Sequence, residues 1–310
     1  MKRVIIDTDI GTDVDDAVAL ILALKSPELK IEAVTTVYGD VALRSRIVLK
    51  LLKLMGKFGE IPAASGLSEP LLRNHNIFWA GHEGKGILTE EDASLKLMEE
   101  HAVDLIIEKI QKNPGEITLI SIGPLTNIAL AIIKGPQIVE NVKEIVMMGG
   151  VARIFGNAQN LPFIEHNIEC DPEAASVVFR SGIPITMVGL DVTTKVPIDR
   201  SHLNRMKEID TPLMNSLVDM IEIFWDFTKR KLGRSGNESP MHDPLAVAVS
   251  MYPDMIKTIR GKVLVETAGN HTTGQTIVIP DTDANVKVAC EVDDKRFIEF
   301  LMDRILSGEG

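Results

Sequence analysis

The chain has 310 residues, 45% hydrophobic and 25% charged, the balance of a soluble globular protein with an ample core. Its formal net charge of -11 argues against nucleic acid or an anionic membrane as the main partner. Cys170 and Cys290 are the only cysteines and lie far apart, so no disulfide framework is expected, and no apolar run is long enough to span a bilayer.

A strand-like run at 3–7 opens the chain with no charged-then-apolar leader before it, so a cytoplasmic location is expected. It runs straight into acid: Asp7, Asp9, Asp13, Asp15 and Asp16 crowd the first sixteen residues, and an apolar helix-like stretch, Ala17 to Leu24, follows. So many carboxylates at one strand-to-helix turn repel one another unless a cation or a substrate holds them. The turn therefore reads as a metal site, with a solvated acidic turn as the plainer alternative.

Further buried strands are expected at 31–37, 117–122, 144–148 and 184–190, and helices at about 15–26, 41–56, 93–112, 124–134 and 172–181. That alternation predicts βαβ units in an open, mostly parallel, Rossmann-like α/β sheet with helices on both faces. Ligands of such sheets bind beyond the carboxyl ends of the strands, where the acidic run, Gly39-Asp40, Gly123-Pro124 and Gly149-Gly150 all fall. From about 196 the pattern turns more helical, with a long helix at 212–231, a loop rich in Gly and Ser at 231–240 and a helix from about 243. Strand-like runs follow at 262–266, 275–279 and 286–292, then a last helix at 293–306. With no internal repeat or convincing linker, residues 1–310 are expected to form a single domain.

Three more segments carry chemistry. His242 and Asp243 stand side by side before Pro244, which suits the first turn of a helix and would let Asp243 reach a metal while His242 faces a ligand. An Asp243 N-cap beside a surface histidine is the plainer reading. The run from Ile122 to Asn127 ends a strand and opens a helix; a backbone carbonyl there could bind a hard cation, or the run is simply a turn. Finally, Met148-Gly149-Gly150 precedes Asn157, Glu165 and Asn167, whose amides and carboxylate suit a polyhydroxylated ligand such as a sugar.

Together these four elements resemble the inosine–uridine-preferring nucleoside hydrolases, in order and over nearly the whole chain. The aspartate run followed by Ala17-Val18-Ala19-Leu20 is the most specific motif. The His242-Asp243-Pro244 segment comes next, with Glu165, Asn167 and the run Asp171-Pro172-Glu173-Ala174-Ala175. The resemblance implies a Ca²⁺-dependent hydrolase that cleaves purine and/or pyrimidine ribonucleosides to free base and ribose, working as a homotetramer or homodimer. By motif position Asp9 is implied as a metal ligand that also takes the proton of the attacking water. Asp16 would be the main carboxylate ligand, with the Thr126 carbonyl and Asp243 completing the protein shell, and Asp15 would sit between the metal and the ribose 2′-hydroxyl. Asn157, Glu165 and Asn167 would grip the ribose above Met148, and His242 would protonate the departing base. His82 resembles a loop histidine that touches the base, a solvent-exposed loop position being the alternative. Asp7 is implied as a structural carboxylate.

Three departures from the family pattern bear on these roles. Thr12-Asp13-Val14 separates Gly11 from Asp15, so Asp13 could share the metal or ribose role given to Asp15. Asp40 stands where an Asn often contacts the ribose, and Glu83 replaces a small residue beside His82. Phe224, Trp225 and Phe227, with Trp79, are candidates for the base wall, although aromatic stripes on helices are more often core. Two other functions remain open at this point: a haloacid-dehalogenase-like Mg²⁺ phosphatase, which shares an Asp7-x-Asp9 pattern after a strand, and a non-catalytic nucleoside- or ribose-binding protein.

Overall fold

A computed structural model describes every residue except 74, 154–160, 234–235 and 309–310. The first half alternates as the apolar pattern demands: β1 (Lys2–Thr8), α1 (Asp15–Leu24), β2 (Leu29–Thr36), α2 (Val41–Leu54) and β3 (Ala63–Ser65) come first. They are followed by α3 (Ala102–Lys112), β4 (Ile117–Ser121), α4 (Thr126–Lys134), α5 (Ile138–Asn141) and β5 (Glu144–Met148). Next are α6 (His166–Cys170), α7 (Pro172–Phe179), β6 (Ile185–Val188), α8 (Leu190–Thr193), β7 (Pro197–Asp199) and α9 (Arg200–Lys207). The chain closes with α10 (Pro212–Leu232), β8 (Glu238–Pro240), α11 (His242–Met251), β9 (Ile256–Val265), β10 (Thr276–Pro280), β11 (Val286–Val292) and α12 (Asp294–Leu306). Among the described residues no helix is long and apolar enough to cross a membrane.

Nine strands form one sheet in the order β10-β9-β11-β6-β5-β4-β1-β2-β3. From β3 to β11 every pairing is parallel, and β9 then runs antiparallel to both β11 and β10. Strands buried on both faces need apolar residues at successive positions, which is why β1 carries an apolar run at 4–6 and β5 one at 145–148, with β4 interrupted by the small Thr118. Successive side chains of β1 feed opposite cores: Val4 and Ile6 pack with α1 and α11, Ile5 with α3, α4 and α7. β1 lies between β2 and β4, and the helices that follow β1 and β4 leave towards opposite faces. The crevice beyond the carboxyl ends of β1 and β4 is therefore a topological switch point, the place where open α/β sheets bind ligands.

Within the loop expected over 231–240 the chain forms β8 (Glu238–Pro240), and three other expected elements have clearly different bounds. The helix expected over 93–112 begins only at Ala102, where the His101 ring accepts the Val103 N–H. Upstream, Thr89 and Asp92 cap a short 3-10 turn, Glu90–Ser94, and extended backbone at Leu95 ends it, so two starts compete within one periodic run. The strand expected at 262–266 starts earlier, at Ile256, because Lys257, Thr258 and Arg260 face solvent and hide the strand pattern. The strand expected to 190 stops at Val188, where Gly189 opens α8; a Cβ there would lie 2.6 Å from the Gly150 carbonyl oxygen.

Candidate active site

The acid turn is built by close backbone packing at the switch point. Gly11 adopts φ +117, a conformation side chains avoid, and a Cβ on Gly123 would lie 2.8 Å from the Asp9 nitrogen, so the β4 turn approaches β1 only as glycine. Asp15 and Asp16 occupy the first turn of α1, where unpaired N–H groups favour negative charge. The Thr8 hydroxyl donates to Asp16 Oδ1. α11 packs against α1, and the Asp243 N–H donates to Asp15 Oδ2 at 3.1 Å. Met241 is the N-cap of α11, so Asp243 lies inside the helix and is not its cap. The two distant acidic segments thus meet.

One carboxylate oxygen from each of Asp15, Asp16 and Asp243 lies within 4.8 Å of the others, and all three residues are buried. Burial pushes the Asp15 carboxyl up to about 6 and those of Asp16 and Asp243 well above the ordinary range, with repulsion from neighbouring aspartates adding to the rise. A buried, all-oxygen, anionic donor set is what a hard divalent cation requires, so the residues fit such an ion. Asp7, also buried, is pushed up to about 7 although the Thr35 hydroxyl and the Asn127 amide both donate to its Oδ1.

The metal-free protein is therefore expected to lose stability as pH rises. In the folded state Asp15 and Asp7 keep their protons to about 6 and 7, whereas an unfolded aspartate releases its proton at about 4. Ionising them in place over that window costs folding free energy, so stability falls between about pH 4 and 7 and stays low above. Thermal melts in excess chelator should show a midpoint roughly 5 °C lower at pH 8 than at pH 5, largely restored at pH 8 by a divalent cation. A midpoint that climbs with pH in chelator contradicts the crowded cluster.

A cavity of about 240 Å³ opens onto this cluster. Asp9 and Asp13 line it beside the three carboxylates, together with Ile122, Met148, Glu165, Asn167 and His242. Glu165 caps α6, accepting N–H groups from Gly150, Asn167 and Ile168 at 2.9, 2.8 and 3.1 Å, and burial nonetheless raises its carboxyl. The Asn167 amide lies 3.3 Å from the Met148 carbonyl and 3.4 Å from that of Ile122. His242 Nδ1 pairs with the Thr193 hydroxyl at 2.7 Å, which sets the ring's orientation. Asp13 is exposed on the cavity side, yet the surrounding protein and then Asp15 push its carboxyl up to about 6, against the pull of His166 and His242.

Several anticipated residues lie elsewhere. Thr126, whose backbone carbonyl is the expected ligand, is not among the residues lining the cavity; it opens α4 with its side-chain hydroxyl donating to Asp171 at 2.7 Å, and the residue of this turn that does line the cavity is Ile122. Asp40 is exposed and caps α2 through the Leu43 N–H at 2.9 Å, a competing use for a carboxylate just before a helix. His82 sits outside the cavity wall with Nε2 2.8 Å from the Thr12 carbonyl and its ring 4.7 Å from that of Phe227. Glu83 folds back on the Ala80 and Gly81 N–H groups and closes the His82 loop. Trp225 is core, donating to the Ser239 hydroxyl, while Phe224 and Phe227 pack around His82. Asn157 lies outside the described residues.

Two residues escaped the sequence reading. His166 lines the cavity, with its ring edge-on to Phe78 and the Cys170 sulfur 3.6 Å from Nε2. Burial opposes its charge, but Cys170, Asp9 and Asp13 outweigh burial and push it up to about 10. Arg44 is wholly buried beneath the acid turn, with Nη2 4.0 Å from Asp9 Oδ2.

Comparison with known proteins agrees with this geometry. Residues 4–299 match the family described as inosine-uridine preferring nucleoside hydrolase. The chain belongs to that family. A pyrimidine-specific ribonucleoside hydrolase, RihA, of Salmonella typhi is 36% identical over 311 residues, covering 97% of each chain. Among solved structures, a purine-preferring ribonucleoside hydrolase from Gardnerella vaginalis superimposes with a TM-score of 0.86 at 33% identity, covering 98% of each chain. A plant nucleoside hydrolase, PpNRh1, does so at 0.87 and 30% identity, covering 99% of each. This nucleoside hydrolase is an enzyme acting on N-glycosyl bonds, and the phosphatase and pure binding readings are not favoured.

Proposed function

We propose that this nucleoside hydrolase is Ca²⁺-dependent and cleaves purine or pyrimidine ribonucleosides to free base and ribose. The observation that carries the reading is the convergence of Asp15, Asp16 and Asp243 on one cavity that also presents Glu165, Asn167 and His242. Three buried carboxylates favour a hard ion, and Ca²⁺ tolerates the irregular oxygen shell that two helix ends and a turn would supply. Asp9 and Ile122 both line the cavity, and we assign the Asp9 carboxylate and the Ile122 carbonyl as the further oxygen donors, Ile122 in the place expected of Thr126.

When bound, the ion would lower the pKa of an adjacent water and hold it beside the sugar. Everything else falls to the chain. Asp9 accepts the water's proton as it attacks the anomeric carbon. Asp15 reaches the ribose 2′-hydroxyl, while Glu165, Asn167 and Asn157 hold the other hydroxyls above Met148. Glycosidic cleavage builds positive charge on the sugar, and the carboxylates of Asp15 and Glu165 stabilise it electrostatically. His242 delivers a proton to the departing base, which is a poor anion on its own.

The names of the relatives point to pyrimidines in one case and purines in another. The direct test is a panel of inosine, adenosine, guanosine, uridine and cytidine assayed for reducing sugar, with chelator and with Ca²⁺ restored. We expect at least one to be hydrolysed, with chelation lowering the rate by about 10²-fold or more and Ca²⁺ recovering it. Turnover indifferent to chelator, or binding without turnover, would overturn the reading. For the enzyme's setting we propose nucleoside salvage in the cytoplasm by a homotetramer or homodimer, supported by composition and family resemblance.

A further inference from the structure

Arg44 lies on the buried face of α2, in line with Ile47, Val48, Leu51 and Leu52, and has no exposed surface. All its hydrogen-bonding reach goes to loops around the active site. Nε donates to the Tyr38 carbonyl at 2.6 Å, Nη1 to the Ile10 carbonyl at 2.9 Å and Nη2 to the Thr12 hydroxyl at 3.0 Å. The Trp79 ring lies against the guanidinium, 5.2 Å from Cζ, and packs so closely on Gly39 that a Cβ there would be 2.7 Å from the ring. Tyr38, held at φ 68, fixes the same segment from its other end, its hydroxyl accepting the Phe78 N–H at 2.8 Å. Thr12 is a shared node, because its carbonyl meets His82 while its hydroxyl meets Arg44.

One planar cation therefore joins three loops: the acid turn, the turn between β2 and α2, and the segment carrying Phe78, Trp79 and His82. A lysine ammonium keeps the charge but cannot span these acceptors at once. We infer that Arg44 is a positioning residue that holds the acid turn in the shape that receives the metal and couples that turn to the loop bearing Trp79. It acts through Ile10, Thr12 and Asp9 and does not line the cavity. The inference rests on the Ca²⁺ reading proposed above.

The test is calorimetric titration of chelator-stripped protein with Ca²⁺, for the wild type, Arg44→Lys, Thr12→Val and Thr12→Ser. Tryptophan fluorescence, thermal melts and steady-state kinetics accompany it. Arg44→Lys should weaken Ca²⁺ binding by about 10-fold or more, the range seen when a partner that orients a metal ligand is lost. With Ca²⁺ saturating, kcat should fall while KM stays within about 3-fold, because the ribose contacts assigned to Glu165 and Asn167 lie outside the acid turn. Thr12→Val should shift Ca²⁺ affinity in the same direction and Thr12→Ser should restore it. Ca²⁺ should also change the wild-type fluorescence through Trp79; Trp79→Phe should abolish that change and Arg44→Lys should diminish it. A folded Arg44→Lys protein with wild-type Ca²⁺ affinity and only a lower melting point would overturn the inference. If that variant fails to fold, equal affinities for Thr12→Val and Thr12→Ser would overturn it instead. Absence of saturable Ca²⁺ binding by the wild type would remove the metal reading and this inference together.

Discussion

Asp9→Ala is expected to lower nucleoside turnover by about 10³-fold or more, the scale of losing a positioned general base that also helps seat the ion. The geometry makes Asp9 distinct from its neighbours. It ends no hydrogen-bonded cap and lies outside the trio of Asp15, Asp16 and Asp243, yet it lines the same cavity. Its backbone is clamped by the close approach of Gly123, and Arg44 stands 4.0 Å from its carboxylate. Removing the side chain therefore leaves the turn supported while deleting one oxygen pair from the reaction site. Asp9→Asn sharpens the test, since it keeps the volume and a carbonyl oxygen but cannot take up the water's proton. Rates for both variants with inosine and uridine, measured with Ca²⁺ affinity, separate loss of the base from loss of the ion. Near-normal turnover in either saturated variant would refute the assigned role.

The sheet and the oddity of the acid turn were legible for one physical reason, while the meeting of that turn with Asp243 was implied by the family resemblance. Strands buried on both faces leave apolar runs, and carboxylates wedged between such runs need a counter-charge. Side-chain direction was much less legible. Asp40 sits on a turn at the correct edge of the sheet but spends its carboxylate on the Leu43 N–H, and from the turn before α4 it is Ile122, four residues before Thr126, that reaches the cavity. Asp243 showed the converse: its place before Pro244 allowed a cap, and Met241 takes that position instead. Arg44 had a signal of its own, a charged residue on the apolar stripe of α2 with Ile47, Val48 and Leu51, a placement that demands buried partners. His166 gave none, because a histidine flanked by Glu165 and Asn167 reads as loop polarity until the cavity is seen.

His242→Ala is expected to separate substrates by leaving group. Natural nucleosides should lose about 10²–10³-fold in kcat, whereas a 4-nitrophenyl riboside, whose leaving group departs as a stable anion, should change by no more than about 3-fold. The Thr193 hydroxyl on Nδ1 sets the ring's orientation, so Thr193→Val should reproduce part of the same selective loss. His166 is the competing imidazole, since it lines the same cavity. Its environment argues against it as the acid: Cys170, Asp9 and Asp13 push it up to about 10, so it would yield its proton reluctantly near neutral pH, where a well-matched acid titrates close to the working pH. His166→Ala should accordingly weaken both substrate types alike, through lost charge beside Asp13 and lost packing on Phe78. Equal losses on both substrates in His242→Ala would remove it as the acid, and a leaving-group-selective loss in His166→Ala would transfer the role there.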